Sequence, residues 1–127
     1  MSNDTTNRDE FLEEILDAAG QGHAEFMELE GWSEAHGPGP NYTIIDDGIE
    51  DGNDKFLVTL ATVRRGFGII AKAKHTEANE TDVKYLPDSQ RKRINEINKS
   101  NGDDGDYDAI DAMAIVEIGL WGAVTYG

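Results

Sequence analysis

The chain contains no cysteine. That excludes disulfides, thiolate nucleophiles and Cys-ligated zinc or iron–sulfur centres. Proline is scarce, at three residues, and two of them share the break Gly37-Pro38-Gly39-Pro40. No apolar run approaches the roughly 20 residues needed to cross a bilayer. The longest weakly charged stretch, Ala112 to Gly127, is interrupted by Glu117 and by glycines. Met1 to Asn7 lacks the basic and apolar regions of a secretory signal. The expectation is therefore no membrane partner, and a cytoplasmic location or a place in a particle assembled there, such as a virion.

Motifs that announce chemistry are also missing. Gly66-Phe67-Gly68 does not extend to the GxGxxG or GxxxxGK pattern of phosphate loops, and no GxSxG nucleophile elbow occurs. The three histidines, His23, His36 and His75, fall in neither HxxxH nor HExxH spacing. Two acidic loops, Asp46 to Asp54 and Asn101 to Asp108, have the composition of calcium loops but not the register. Counted from Asp104, the acids at 106 and 108 fit, but the sixth position is Ala109 and the twelfth Ile115. Solvated turns and helix caps explain these acids better. No catalytic, cofactor-binding or metal-ligating residue is assigned, and no enzyme activity is expected.

What the chain does have is acid. At 127 residues it carries a formal charge of −15. That length suits one domain that buries roughly two-thirds of its unfolded surface. We place it at residues 8–127, after a flexible segment 1–7. Charge is segregated along the chain. Residues 1–54 have fifteen acids and one base, Arg8; residues 55–99 have ten bases and five acids; residues 100–127 have six acids and no base. Dense carboxylates suit a halophilic protein, whose salt screens their repulsion. The alternative is that they imitate a nucleic-acid backbone. The cationic middle third either folds against the acidic ends or forms one pole of a docking surface.

Hydrophobic spacing gives the expected elements. Asn7 and Glu10 stand at capping-box spacing. Phe11, Leu12, Ile15, Leu16, Ala19, His23, Phe26 and Leu29 then make one helical stripe, with Gly20 and Gly22 as candidate kinks. Tyr42 to Asp46 and Phe56 to Val63 read as strands. Phe67 to His75 reads as another, joined to the last by a hairpin at Arg64-Arg65-Gly66, and Val83 to Tyr85 as a short edge strand. Gln90 to Ser100 reads as a helix with Ile94 and Ile97 inward. A last helix, capped by Asp106 or Asp108, runs to about Tyr126 and is apolar nearly all round. The expected class is α+β, with a long N-terminal helix, a small antiparallel sheet built on a central hairpin, and two C-terminal helices.

A helix apolar on all sides needs cover from its own domain or from another chain. Ile115, Ile118 and Trp121 are candidate contact residues there, and Gly119 and Gly122 would let another backbone approach. Glu117 interrupts that helix. As a buried carboxylate it needs a partner, and Arg64, Arg65, Lys72 or Lys74 could supply one. His23, on the apolar stripe, reads as a hydrogen-bonded core histidine. Arg64, Arg65, Lys72, Lys74, Arg91 and Arg93 are the candidate cationic contact residues. The overall charge repels phosphate, so nucleic acid is not the expected partner. The functional expectation is a non-catalytic interaction or assembly subunit binding a protein or its own copies. The alternatives are an acidic DNA mimic that inhibits a nuclease or CRISPR-type complex, and a small metal-binding domain or enzyme.

Overall fold

The computed structural model of the chain describes residues 2–25, 27–37, 39–46, 54–103 and 106–124. Among these residues four α-helices and three strands follow in the order α1 (Ser2–Ala24), β1 (Glu28–Glu30), β2 (Asn41–Asp46), β3 (Asp54–Thr59), α2 (Leu60–Lys72), α3 (Asp88–Ser100) and α4 (Ala109–Trp121). The strands form one antiparallel sheet in the order β1-β2-β3. The α+β class and the helix–sheet–helix order expected from the sequence hold.

α1 starts at Ser2, so the expected cap at Asn7 lies inside it. No glycine or proline occurs before Gly20 to stop it. It ends at Ala24, earlier than the stripe suggested, and Leu29 sits in β1. Gly20 and Gly22 stay helical because they make room. The Tyr42 ring packs where a Gly20 side chain would begin, and a Cβ on Gly22 would strike the Met113 side chain. Arg8, the base of the acidic third, ties α1 to the end of α3. It donates to the Asn98 carbonyl (3.0 Å), to Asn98 Oδ1 (2.5 Å) and to Asn101 Oδ1 (3.0 Å), and lies 5.3 Å from the Phe67 ring centre.

β2 is the middle strand and is buried from Asn41 to Ile45. It pairs Tyr42 with Val58 and Ile44 with Phe56 on β3. The central hairpin is therefore β2–β3. Its connection, 47–53, lies outside the described residues. So does most of the first acidic loop.

The expected hairpin at residues 64–66 is not formed. β3 stops at Thr59, whose N–H donates to Thr62 Oγ1 (3.2 Å), and α2 begins at once. The stretch expected as a second strand, 67–75, is mostly α2. Its buried residues are Thr62, Val63, Gly66, Phe67 and Ile70, a helical spacing. The cause is a helix crossing with no room for side chains. A Cβ on Gly66 would collide with the Ile115 carbonyl of α4, and one on Gly119 with the Thr62 carbonyl of α2. Two glycines thus bring α2 and α4 into backbone contact.

Residues 83–85 form no strand. Tyr85 has φ 66°, a left-handed conformation that breaks extended backbone. The loop they occupy is pinned by Lys74 N to Asp82 Oδ1 (2.9 Å) and by Thr81 Oγ1 to the Leu86 carbonyl (2.8 Å). α3 covers the expected helix and buries Ile94 and Ile97, and Asn101 caps it at φ 54°.

α4 ends at Gly122 (φ 76°), short of the expected Tyr126. Residues 111–119 are all buried. α4 packs against α1, α2 and β3. Its start is a reciprocal cap: Asp108 Oδ1 accepts from Asp111 N (2.9 Å). The Asp111 carboxylate, 1 % exposed, also accepts from Arg93 Nε (2.9 Å), Arg93 Nη2 (2.7 Å) and Gln90 Nε2 (2.9 Å). α3 is fastened to α4 through this one carboxylate. Burial alone would raise its pKa. The hydrogen bonds and charge of Arg93, with the bond from Gln90, outweigh that and hold it below the usual range.

Candidate functional site

Three elements bring a carboxylate, an imidazole and a phenol together beneath the surface. His23 comes from the last turn of α1, Tyr42 from β2 and Glu117 from α4. His23 Nε2 lies 2.8 Å from Glu117 Oε2, and His23 Nδ1 lies 3.2 Å from the Tyr42 hydroxyl. His23 and Glu117 are both 0 % exposed and Tyr42 is 6 % exposed. Burial, with the Glu117 charge behind it, raises the Tyr42 phenol well above its ordinary pKa. The hydroxyl stays protonated, and the two ring nitrogens of His23 bridge it to the Glu117 carboxyl.

The order carboxylate–imidazole–hydroxyl resembles a nucleophile relay. Here the hydroxyl is turned toward the fully buried His23 ring. The cluster acts as a tie between α1, the sheet and α4. Glu117 is the buried charge the sequence pointed to, and the core role read for His23 holds. His23, which was not among the partners named, is one partner of this carboxylate. Arg64 pairs instead with Asp9 (3.2 Å), and Arg65 donates to the Gly119 carbonyl (3.2 Å).

On the outer side of Tyr42 lies an open groove of about 410 Å³. Its apolar lining includes Leu16 and Gly20 of α1, Leu29 of β1, Trp32, Pro40 and Tyr42. Among the described residues its charged members are the acids Asp17 and Glu30. Trp32 is 60 % exposed. Its indole is nevertheless held in place: Nε1–H donates to the Gly39 carbonyl (3.0 Å). The buried Asn41 fastens the segment carrying Trp32. Its Oδ1 accepts from Ser33 N (3.0 Å), and its Nδ2 donates to the carbonyls of Ser33 (3.1 Å) and Gly39 (3.3 Å).

The other residues singled out in the sequence lie apart. Arg64, Arg65 and Lys72 are exposed on α2, with Lys74 just beyond it. Arg91 and Lys92 pair with Asp88 (2.7 and 3.4 Å), and Arg93 with Asp111 (2.7 Å). The cations thus spread over α2, α3 and their connection, and several fold against the chain's own acids. Ile115 and Ile118 are 0 % exposed, enclosed by this chain's own elements. Trp121 is half-buried and meets Phe56 edge-on at 5.1 Å. Gly119 does receive another backbone, but that of α2. Among the described residues, no group of three or more His, Cys, Asp or Glu is arranged to hold a metal ion.

Sequence reasoning passed over Trp32, Asn41 and the Asp111 junction. Trp32 sits between Gly31 and Ser33 in a polar, glycine-bearing stretch, a setting in which an aromatic residue without periodic neighbours signals a surface role. An SxxK pattern, read as absent from the sequence, does occur at Ser89 and Lys92 on α3. The Ser89 hydroxyl accepts from Asn79 Nδ2 (3.2 Å) and Lys92 faces Asp88.

The fold and its sites define an α+β domain with a sealed polar tie and an acidic, aromatic groove. Comparison with protein-family models, curated proteins and solved structures finds no match to it.

Proposed function

We propose that this chain is a non-catalytic interaction module, an assembly subunit that engages another protein through a charge-segregated surface. The observation that carries this reading is the outer face of α1. Glu10, Glu13, Glu14 and Asp17 are all exposed there, at spacings where like charges repel. Such a face is relieved by an opposing basic surface, which it also steers into place. The sealed His23–Glu117–Tyr42 cluster supports the non-catalytic part, since the groups best suited to acid–base work face inward. A place in a particle or small oligomer, a cytoplasmic setting and a salt-rich milieu belong to the same reading.

DNA mimicry has less support. The stripe from Glu10 to Asp17 rises only about 10 Å along the helix, too short for a run of phosphates. Other exposed acids, such as Glu77, Glu80, Asp82 and Glu96, sit on different elements.

Light scattering in low and high salt, with cross-linking in the source cells, tests the proposal. The expected result is an assembly or a cross-linked protein partner that is lost when Glu10, Glu13, Glu14 and Asp17 are changed together to lysine. A monomer at both salt levels with no cross-linked partner overturns it.

A further inference from the structure

We infer that the groove between α1 and the Trp32 segment is the docking site for a basic, amphipathic segment of a partner protein. The inference rests on the interaction reading above and names the surface and the partner's chemistry.

Three features carry it. The first is preorganisation. An indole 60 % exposed keeps apolar surface in water that a partner could bury favourably. This one is held in position by its bond to Gly39 and by the Asn41 staple beneath it. A large aromatic side chain fixed before binding loses little entropy on contact, which is why tryptophan so often anchors interfaces. The second is the lining. Leu16, Leu29, Pro40 and the ring of Tyr42 give an apolar floor on which aliphatic side chains can dock. The third is charge. Among the described residues the groove's charged members are Asp17 and Glu30, both acids; Glu30 already pairs with Lys55 (3.3 Å), so Asp17 is the acid that carries the charge argument. Asp17 also continues the acidic face of α1, with Glu13 and Glu14 one turn earlier and Glu10 one turn before that.

An occupant that places an aliphatic residue on Trp32 and Tyr42, and directs arginine or lysine along α1, satisfies all three. An arginine can in addition stack on the indole face. An acidic segment would meet repulsion along its whole length. A nucleic acid strand, which could stack on Trp32, would bring phosphates against Asp17 and Glu30.

Titration calorimetry of the full chain against three synthetic peptides of equal length tests this. One alternates arginine with leucine, one arginine with serine, and one glutamate with leucine. Binding of the Arg/Leu peptide is expected, and it should fall by about tenfold or more in Trp32→Ala and in Asp17→Arg. Tyr85→Ala, which alters another exposed aromatic (72 % exposed) outside the groove, should leave it unchanged. Equal binding of the Arg/Ser peptide would reduce the site to bulk electrostatics. Preferred binding of the Glu/Leu peptide, or unaltered binding by Trp32→Ala, overturns the proposal. Self-association abolished by Trp32→Ala would make the occupant a second copy and overturn the assigned partner. If the peptide result is negative while the α1 lysine variant still loses its assembly, the groove assignment falls and the interaction reading stands.

Discussion

Replacing Glu117 by leucine should destabilise the domain by about 3 kcal/mol, because a buried polar partner is removed from His23. The magnitude follows from the geometry. Both side chains are 0 % exposed and their contact is 2.8 Å, so neither group can turn to water when the other is lost. An unpaired buried neutral donor costs about 1–3 kcal/mol, and breaking a buried charged pair about 3–5 kcal/mol. Glu117→Gln keeps a hydrogen-bonding partner for Nε2 and should cost only about 1 kcal/mol. The combined His23→Leu, Glu117→Leu and Tyr42→Phe variant removes all three polar groups and should recover most of the loss, since apolar replacement of a buried pair is often nearly neutral. Urea unfolding at neutral pH, with the m-value unchanged, gives each difference. His23 and Glu117 should couple by about 2 kcal/mol in the double-mutant cycle. Single effects below about 0.5 kcal/mol, or strictly additive ones, would refute the tie between α1 and α4.

Two further outcomes follow from the packing and from Asp111. Gly66→Ala should destabilise by about 1–3 kcal/mol, because its Cβ meets the Ile115 carbonyl. Gly68→Ala, where nothing lies within 4 Å, should be neutral or stabilise by up to about 1 kcal/mol through helix propensity; thermal unfolding separates the two. Arg93 and Gln90 hold the folded pKa of Asp111 below the usual carboxylate range, despite its burial. Its contribution is therefore fully present above about pH 4 and is lost as pH falls through the lower folded value. Asp111→Asn should flatten the acid limb of a stability–pH profile in that range while lowering stability at neutral pH by about 2–3 kcal/mol. An acid limb unchanged by the substitution would count against the Arg93–Asp111–Gln90 junction.

The class of fold was legible because its signals are local. The stripe of α1, the short strand from Tyr42, the Ile94–Ile97 spacing of α3 and the all-apolar α4 each follow from side-chain periodicity. The error at α2 shows where that reasoning stops. Val63, Phe67 and Ile70 are rich enough in β-branched and aromatic character to read as strand, and Gly66 looked like a turn. The helical spacing was present in the same residues. What decides between the two is the α4 backbone against Gly66, a contact between positions far apart in sequence. Glu117 announced itself as a charge in an apolar run, but its partner did not. His23 stands 94 residues away, and nearby cations were the more obvious choice. The groove was illegible for a related reason: Leu16, Trp32 and Tyr42 become neighbours only after β1 and β2 fold onto α1.

Hydrogen exchange along α4 in dilute solution tests most directly whether this helix is enclosed by its own chain. Amides of residues 113–119 should be the slowest in the molecule, with protection that matches global unfolding and does not depend on protein concentration. Rapid exchange there in the dilute monomer, slowing only as concentration rises, would show that another polypeptide supplies the cover.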